Sequence, residues 1–146
     1  MFRGRYEHTI DKKGRISIPS RYREILSARA DDSLIVTNFD SCLVAFPKEE
    51  WEILEKKAAK LPQMKPEVKA LQRYFISGAI ECPIDKQGRI MIPQSLRKFA
   101  DLEKEVVLVG LTKKFEIWAK AKWEAEFDQA RDKFENSGDI LGDLGI

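Results

Sequence analysis

The chain has 146 residues, of which 43% are hydrophobic and 34% charged, and its formal net charge is +2. This length fits one ordinary domain or two very small ones, and no apolar run approaches the ~20 residues of a transmembrane helix. The N-terminal segment has neither the apolar stretch nor the cleavage site of a signal peptide. We therefore expect a cytoplasmic protein with no membrane partner.

The N-terminal part of the sequence predicts a hairpin followed by a helix. Residues 5–10 alternate as a short strand, residues 11–14 have the composition of a turn, and residues 15–18 alternate between polar and apolar side chains. The two strands are expected to pair with each other as a tight hairpin. Pro19 ends the second strand, and its fixed φ suits the first turn of a helix.

Two apolar strands and two helices are predicted next. The strands cover residues 34–37 and 42–46 and are separated by a turn-like cluster of four residues. Beyond them, Trp51, Leu54 and Ala58 recur at helical spacing, which predicts a helix with one apolar face. A second, shorter helix is expected before the chain becomes strand-like again.

The plan of the N-terminal half then occurs a second time. Residues 10–19 return as residues 84–93, with a shift of 74 and with only two of the ten positions changed, and Arg23 recurs as Arg97. The following strands recur with a shift of 72. This duplication predicts a pseudo-symmetric protein that presents two equivalent basic turns, and hence a symmetric partner such as duplex DNA.

The repeats define the expected organisation of the chain. The segments are a first repeat (5–47), a helical connector (48–75), a second repeat (76–119), a C-terminal helix (120–136) and a flexible tail (137–146). A repeat of roughly 45 residues barely supports a hydrophobic core of its own, so we expect the two copies to share one core. The predicted fold class is α+β and mainly β.

Charge follows the repeats along the chain. Residues 1–29 carry a net charge of +5 and residues 63–100 a net charge of +4, whereas residues 30–62 and 101–146 carry −3 and −4. The basic segments contain the two repeated turns. A local basic patch is the electrostatic signature of a nucleic-acid site even in a nearly neutral chain, although solvated acidic helix faces account for part of the pattern.

The sequence offers little for catalysis or metal binding. His8 is the only histidine, and the chain has neither a Cys-x-x-Cys pair nor a phosphate-binding Gly-rich loop. Asp11 and Asp85 could form a carboxylate pair, but the neighbouring lysines and arginines would keep both ionised. Cys42 and Cys82 lie in apolar, strand-like contexts and are expected to be buried, reduced thiols. We expect a protein that is not an enzyme and has no cofactor.

The repeated Asp-x-x-x-Arg pattern is the candidate binding site. Asp11 and Arg15 flank the first turn, so their side chains can meet across its base; this contact could serve only as a turn-stabilising ion pair. The alternative is that the carboxylate orients the guanidinium, whose planar fork binds phosphate or guanine in a bidentate manner. The predicted contacts in both copies are Arg15 and Arg89, oriented by Asp11 and Asp85, with phosphate contacts from Lys12, Lys13, Lys86, Arg3 and Arg5.

These motifs resemble a known family. Asp-x-x-Gly-Arg followed by Ile-x-Ile-Pro is similar to the SpoVT–AbrB group of swapped-hairpin DNA-binding proteins. The doubled motif and its flanks, over about residues 1–125, resemble the MraZ family of bacterial transcriptional regulators. Lys13 corresponds to Gln87 in the second copy, so the two turns are not expected to contribute equally.

The resemblance implies both an architecture and a function. It implies two tandem swapped-hairpin, AbrB-like repeats that share a β-barrel-like core with helices at the periphery. It also implies a ring-like homo-oligomer, associated with the nucleoid, that binds direct DNA repeats upstream of its own operon in the division and cell-wall gene cluster and usually represses it. A scaffolding module that docks an acidic protein partner is the alternative hypothesis.

Overall fold

The strands form one large antiparallel sheet and one small ribbon in the computed structural model, which describes residues 1–146. In chain order the strands are β1 (Arg5–Thr9), β2 (Arg15–Ser17), β3 (Ser33–Phe39), β4 (Cys42–Pro47), β5 (Ile80–Pro83), β6 (Arg89–Met91), β7 (Glu105–Gly110) and β8 (Phe115–Ala119).

The helices lie between and after the strands of each repeat. They are α1 (Ser20–Ala28), α2 (Lys48–Ala59), α3 (Pro66–Ala70), α4 (Gln94–Phe99), α5 (Lys120–Glu135) and α6 (Gly138–Leu144), and a π-helical segment (Leu71–Ile76) continues α3. No helix combines the length and the apolarity needed to cross a lipid bilayer.

The two repeats are interleaved in the six-stranded sheet. Its order is β1-β7-β8-β4-β3-β5, so the first strand of each repeat pairs with the third strand of the other. Arg5 faces Val109 across the β1–β7 pair, and Ser33 faces Pro83 across the β3–β5 pair. The fourth strands, β4 and β8, meet at the centre, where the pseudo-twofold axis relates the halves.

The prediction of a self-contained hairpin from β1 and β2 is wrong. β2 pairs with β6 of the other repeat, with Ile16 opposite Ile90, and only a single bridge between Ile10 and Ile16 remains at the tip of the expected hairpin. The exchange follows from the short length of β2. A strand of three residues is stabilised more by pairing with β6, because both repeats then bury its apolar side chain. The α+β, mainly β, swapped-hairpin class is confirmed.

One core is shared by both repeats, as predicted. The larger cluster joins Ile16, Tyr22 and Leu34 of the first repeat to Ile90 and Leu108 of the second, all at most 1% exposed. The sheet is not closed, however: β1 and β5 each have only one strand neighbour and form its two edges. The expected barrel-like core is therefore an open sheet covered by the β2–β6 ribbon, α1 and α4.

A second cluster lies on the opposite face of the sheet, beneath the connector. Phe46, Trp51 and Phe75 pack there with ring centroids 5.3–6.4 Å apart. At the end of the second repeat, Trp118 of β8 contacts Trp123 of α5, and Trp123 contacts Phe127. Cys42 and Cys82 are buried free thiols, as predicted, and burial raises the pKa of both.

The C-terminal segment contains a short helix. Within residues 137–146, the predicted flexible tail, α6 occupies Gly138–Leu144. Neither α5 nor α6 has a buried residue. Phe134 on α5 is 43% exposed, and Ile140 and Leu144 on α6 are 53% and 63% exposed.

Candidate nucleic-acid interface

The first Asp–Arg turn is held by the side chain of its aspartate. Oδ1 of Asp11 accepts hydrogen bonds from the backbone N–H groups of Lys13 and Arg15, both at 2.9 Å, and Oδ2 accepts one from Nε of Arg15 at 2.6 Å. Gly14 adopts a φ of +88° and donates its N–H to the Asp11 carbonyl. The carboxylate therefore fixes both the turn and the orientation of the guanidinium.

The second turn repeats this geometry. Oδ1 of Asp85 accepts from the N–H groups of Gln87 and Arg89 at 2.9 Å, and Oδ2 accepts from Nε of Arg89 at 3.0 Å. Gly88 has a φ of +75°. The replacement of Lys13 by Gln87 leaves the turn unchanged because the aspartate binds the backbone at that position and not the side chain.

Hydrogen bonding keeps both carboxylates ionised. The backbone N–H of Arg15 is the main reason that the pKa of Asp11 falls to about 2, and the Arg15 guanidinium lowers it further. The same contacts from Arg89 lower the pKa of Asp85. Each carboxylate accepts three hydrogen bonds within its own turn. The geometry therefore gives no support to the alternative of an Asp11–Asp85 catalytic pair.

The β2–β6 ribbon places both arginines on its outer face, where their side chains are 32% and 29% exposed. Arg15 faces Met91 and Arg89 faces Ser17 across the antiparallel pair, and side chains directly opposite each other point to the same side. Ile16 and Ile90 point to the other side and are buried. Arg15 and Arg89 are thus diagonal neighbours, whose Cα atoms are about 7–8 Å apart in such a ribbon.

The predicted lysines lie in the turns that precede the two strands of the ribbon. Lys12, Lys13 and Lys86 are exposed, and none of them takes part in an ion pair. Residues 11–15 carry a net charge of +2 and residues 85–89 a net charge of +1.

Arg3 and Arg5 lie away from the turns. Arg5 begins β1, six residues before Asp11, which corresponds to about 20 Å of extended chain. Its guanidinium lies over the ring of Phe127 on α5, 4.8 Å from the ring centre. Arg3 is exposed, and its backbone packs against Gly110 at the end of β7.

Two arginines outside the predicted site contact the turns instead. A Cβ atom built on Gly14 would lie 2.8 Å from Nε of Arg97, and one built on Gly88 would lie 2.8 Å from an Nη atom of Arg23. Each arginine covers the turn of the opposite repeat. The recurrence of Arg23 as Arg97 was the sequence signal, but the crossing of the repeats could not be derived from it.

The fold and these turns define a class. An α+β chain whose tandem repeats exchange hairpins, and which displays two equivalent Asp–Arg turns, is a swapped-hairpin protein with an internal pseudo-twofold axis. A family model described as "MraZ protein, putative antitoxin-like" matches residues 1–74 and again residues 75–139. The chain belongs to the MraZ family.

Curated relatives are similar along the whole chain. A transcriptional regulator MraZ of Desulfitobacterium hafniense is 45% identical over 146 residues, covering all of both chains. The protein of the same name from Ligilactobacillus salivarius is 47% identical over 147 residues, again covering both chains entirely. That of Syntrophobacter fumaroxidans is 43% identical and covers 99% of this chain and 97% of its own.

Proposed function

We propose that this chain is a sequence-specific, DNA-binding transcriptional regulator whose two Asp–Arg turns contact duplex DNA. The observation that supports this most directly is the shared exposed face of Arg15 and Arg89, each with its guanidinium oriented by a carboxylate. The names of the relatives, which are transcriptional regulators, support the same function.

The ribbon has a suitable shape and chemistry for base recognition. The major groove admits a two-stranded β-ribbon. Because Asp11 and Asp85 engage only the Nε atoms of Arg15 and Arg89, the two terminal nitrogens of each guanidinium are left for O6 and N7 of a guanine. Such a bidentate contact discriminates against a wrong base by about 1–3 kcal/mol.

The lysines at the tips would contact phosphates and position the ribbon. Phosphate contacts carry affinity and register but little sequence information. Lys12 and Lys13 give the first turn one more cation than Lys86 gives the second, so the first turn should contribute more to affinity. Arg3 and Arg5 would reach phosphates only at a distance from the turns.

The proposed target is the promoter of the chain's own operon, in the division and cell-wall gene cluster, which the protein would repress through direct DNA repeats. This proposal rests on the family resemblance. Direct repeats place identical sites in one orientation, and several copies of a chain joined head to tail present their ribbons in one orientation too. We accordingly place the protein in the cytoplasm, on nucleoid DNA.

A ring-like homo-oligomer is the assembly that suits this target. Its structural support is the apolar surface of α5 and α6, where Phe134, Ile140 and Leu144 are exposed. Exposed apolar patches of this kind are typical of protein interfaces.

Fluorescence anisotropy on labelled DNA from upstream of the chain's own gene, beside a scrambled duplex of equal length, tests the function. At physiological salt we expect wild type to prefer the native duplex by at least ~10³-fold. The Arg15→Ala/Arg89→Ala double variant should lose this preference. The matched control, Lys60→Ala/Arg73→Ala, removes the same charge from exposed positions of the connector and should retain it.

Equal, weak binding of wild type to both duplexes would contradict the proposal. It would favour the scaffolding hypothesis, in which the basic turns dock an acidic partner and base sequence is irrelevant. Salt dependence alone would not distinguish the two, because both are electrostatic.

A further inference from the structure

Arg23 and Arg97 occupy equivalent positions one turn into α1 and α4, and each reaches across to the other repeat. Nε and Cζ of Arg97 would lie 2.8 and 3.0 Å from a Cβ on Gly14. For Arg23, Cδ and an Nη atom would lie 2.5 and 2.8 Å from a Cβ on Gly88. Each guanidinium therefore rests against the bare backbone of the opposite turn, in the space that a side chain would occupy.

Neither arginine is neutralised by the protein. The ion pairs of the chain include neither Arg23 nor Arg97. Arg23 donates one hydrogen bond, from Nε to the Ile18 carbonyl at 3.2 Å. Nε of Arg97 is buried and has no acceptor. Arg15 and Arg89, in contrast, are each paired with an aspartate.

We propose that Arg23 and Arg97 are DNA phosphate contacts, and that each serves the turn of the opposite repeat. Arg97 completes the first turn beside Lys12 and Lys13, and Arg23 completes the second beside Lys86. The inference rests on the proposed DNA-binding function and adds two residues and a crossed arrangement to it.

Three features suit these arginines to phosphate. A guanidinium binds phosphate oxygens with two parallel hydrogen bonds, and no carboxylate competes for these two. Packing against Gly14 and Gly88 holds the stems in place before binding, which lowers the entropic cost of ordering them. The arrangement also makes each contact site a product of both repeats, so that neither turn is complete without the other half of the chain.

A purely structural role is the competing explanation, in which the arginines only pack against the turns. Substitution by methionine separates the two, since Arg97→Met and Arg23→Met keep an unbranched stem over the glycine and remove the charge. Arg97→Lys and Arg23→Lys keep the charge and lose the planar guanidinium. If the arginines contact phosphate, DNA binding should depend on their positive charge. If they only pack against the turns, the effect of a substitution should depend on the aliphatic part of the side chain.

The test uses the full chain, with the other DNA contacts of one turn removed at a time. In a Lys86→Ala/Arg89→Ala background, the second turn has lost its other DNA contacts and binding depends on the first turn with Arg97, so Arg97→Met should weaken binding to the native duplex by about tenfold. It should also reduce the slope of log K against log salt by about 0.9, the value for one phosphate contact. Arg23→Met should leave both quantities unchanged. In a Lys12→Ala/Lys13→Ala/Arg15→Ala background the two variants should exchange roles, and the lysine variants should keep the slope.

Two results would overturn the inference while wild type still binds DNA specifically. An unchanged salt slope in both methionine variants would leave the arginines as packing residues. Effects that follow each arginine's own repeat would refute the crossed assignment. Thermal unfolding identifies any methionine variant that fails to fold. The lysine variants then provide the test, because a reduced slope of log K against log salt in them would contradict a charge-based contact. Failure of wild type to prefer its own duplex would instead refute the proposed function.

Discussion

At the scale of single residues, one carboxylate organises each turn. Asp11 accepts two backbone hydrogen bonds and one from a guanidinium through two oxygen atoms, which no neutral side chain of similar size can match. The Asp-x-x-x-Arg spacing lets one carboxylate meet both the turn backbone and the arginine that follows. The proposed DNA contact and the local stability of the turn therefore involve the same ionised group.

Acid should weaken the turns in a predictable way. The pKa of Asp11 is about 2, below the ordinary value of 3.8, so ionised Asp11 stabilises the folded state fully above the unfolded pKa, and this contribution is lost as the pH falls through the folded one. We expect the melting temperature of wild type to fall more steeply than that of Asp11→Asn/Asp85→Asn between about pH 5 and about pH 2. Calorimetry across this range measures the difference.

The control for this experiment is Asp139→Asn, because Asp139 is exposed on α6 and accepts no hydrogen bond of this kind. It should follow wild type. Parallel curves for wild type and the double variant would show that the turn carboxylates do not contribute to stability.

Gly14 is the second residue on which a turn depends. A Cβ at this position would meet the Ile92 carbonyl oxygen at 2.6 Å, and the φ of +88° is unfavourable for any other residue. Gly14→Ala should cost about 1–3 kcal/mol from backbone strain alone, and more from the steric clash. Urea denaturation measures the loss, with Gly142→Ala on α6 as control, since nothing lies within 4 Å of Gly142. Equal stability of the two variants would contradict the geometry.

At the level of elements, the β2–β6 ribbon combines a core face and an outer face, which we propose binds DNA, in strands of three residues. Ile16 and Ile90 enter the core, while Arg15, Ser17, Arg89 and Met91 share the outer face. Strand alternation makes this division unavoidable, because a shift of one residue would bury the arginines and expose the isoleucines. The position of the arginines is thus fixed by the hydrophobic core.

This division predicts different consequences for the two faces. Ile16 is fully buried, so Ile16→Ala should destabilise the protein by about 2–5 kcal/mol. Met91 is 58% exposed, and Met91→Ala should change stability by no more than about 0.5 kcal/mol. Chemical denaturation of both variants provides the comparison. A large loss for Met91→Ala would mean that the outer face is covered within the folded chain.

At the scale of the whole molecule, interleaving makes the two halves depend on each other. β1, β2 and β3 have partners in the second repeat, namely β7, β6 and β5, and only β3 also pairs within its own repeat, with β4. An isolated half would leave β1 and β2 unpaired, would keep only the β3–β4 pair, and would expose its core residues. The duplication therefore places in one chain what two copies of a single repeat would otherwise have to supply.

A fragment of residues 1–75 tests this dependence. We expect it to be unfolded as a monomer and to fold only as a dimer, in which β1 of one copy pairs with β3 of the other, the counterpart of β7. Circular dichroism over a range of concentrations, together with sedimentation, should show folding and association in one step. A stable folded monomer would contradict the interleaved topology.

Self-association has its own test at this scale. Phe134 is exposed at the end of α5, and Phe134→Glu should reduce the assembled species because burying an unpaired carboxylate in an apolar contact is unfavourable. Met64→Glu, at a position 80% exposed on the connector, is the matched control. Sedimentation velocity that finds both variants assembled like wild type would exclude this surface as the subunit contact.

Residue types and their short-range spacing were enough to predict the local chemistry of the chain. The duplication, the Asp-x-x-x-Arg turns with their glycines, the shared core and the α+β class all follow from residue types and spacing, because turn chemistry and strand alternation act over a few residues. The contact between Asp11 and Arg15 was predictable for the same reason.

The pairing of the strands, in contrast, became known only from the folded chain. A strand such as Arg15–Ser17 carries the same alternation whether it pairs with β1 or with β6, and local pattern cannot distinguish the two. The exchange brings Arg97 to Gly14 and Arg23 to Gly88, and it leaves Arg5 beside Phe127 instead of near a turn. It also leaves the sheet open, because the edge strands β1 and β5 each pair with one strand of the opposite repeat and with no other strand of the sheet. These outcomes depend on how two small apolar surfaces bury each other, which is a property of the whole chain.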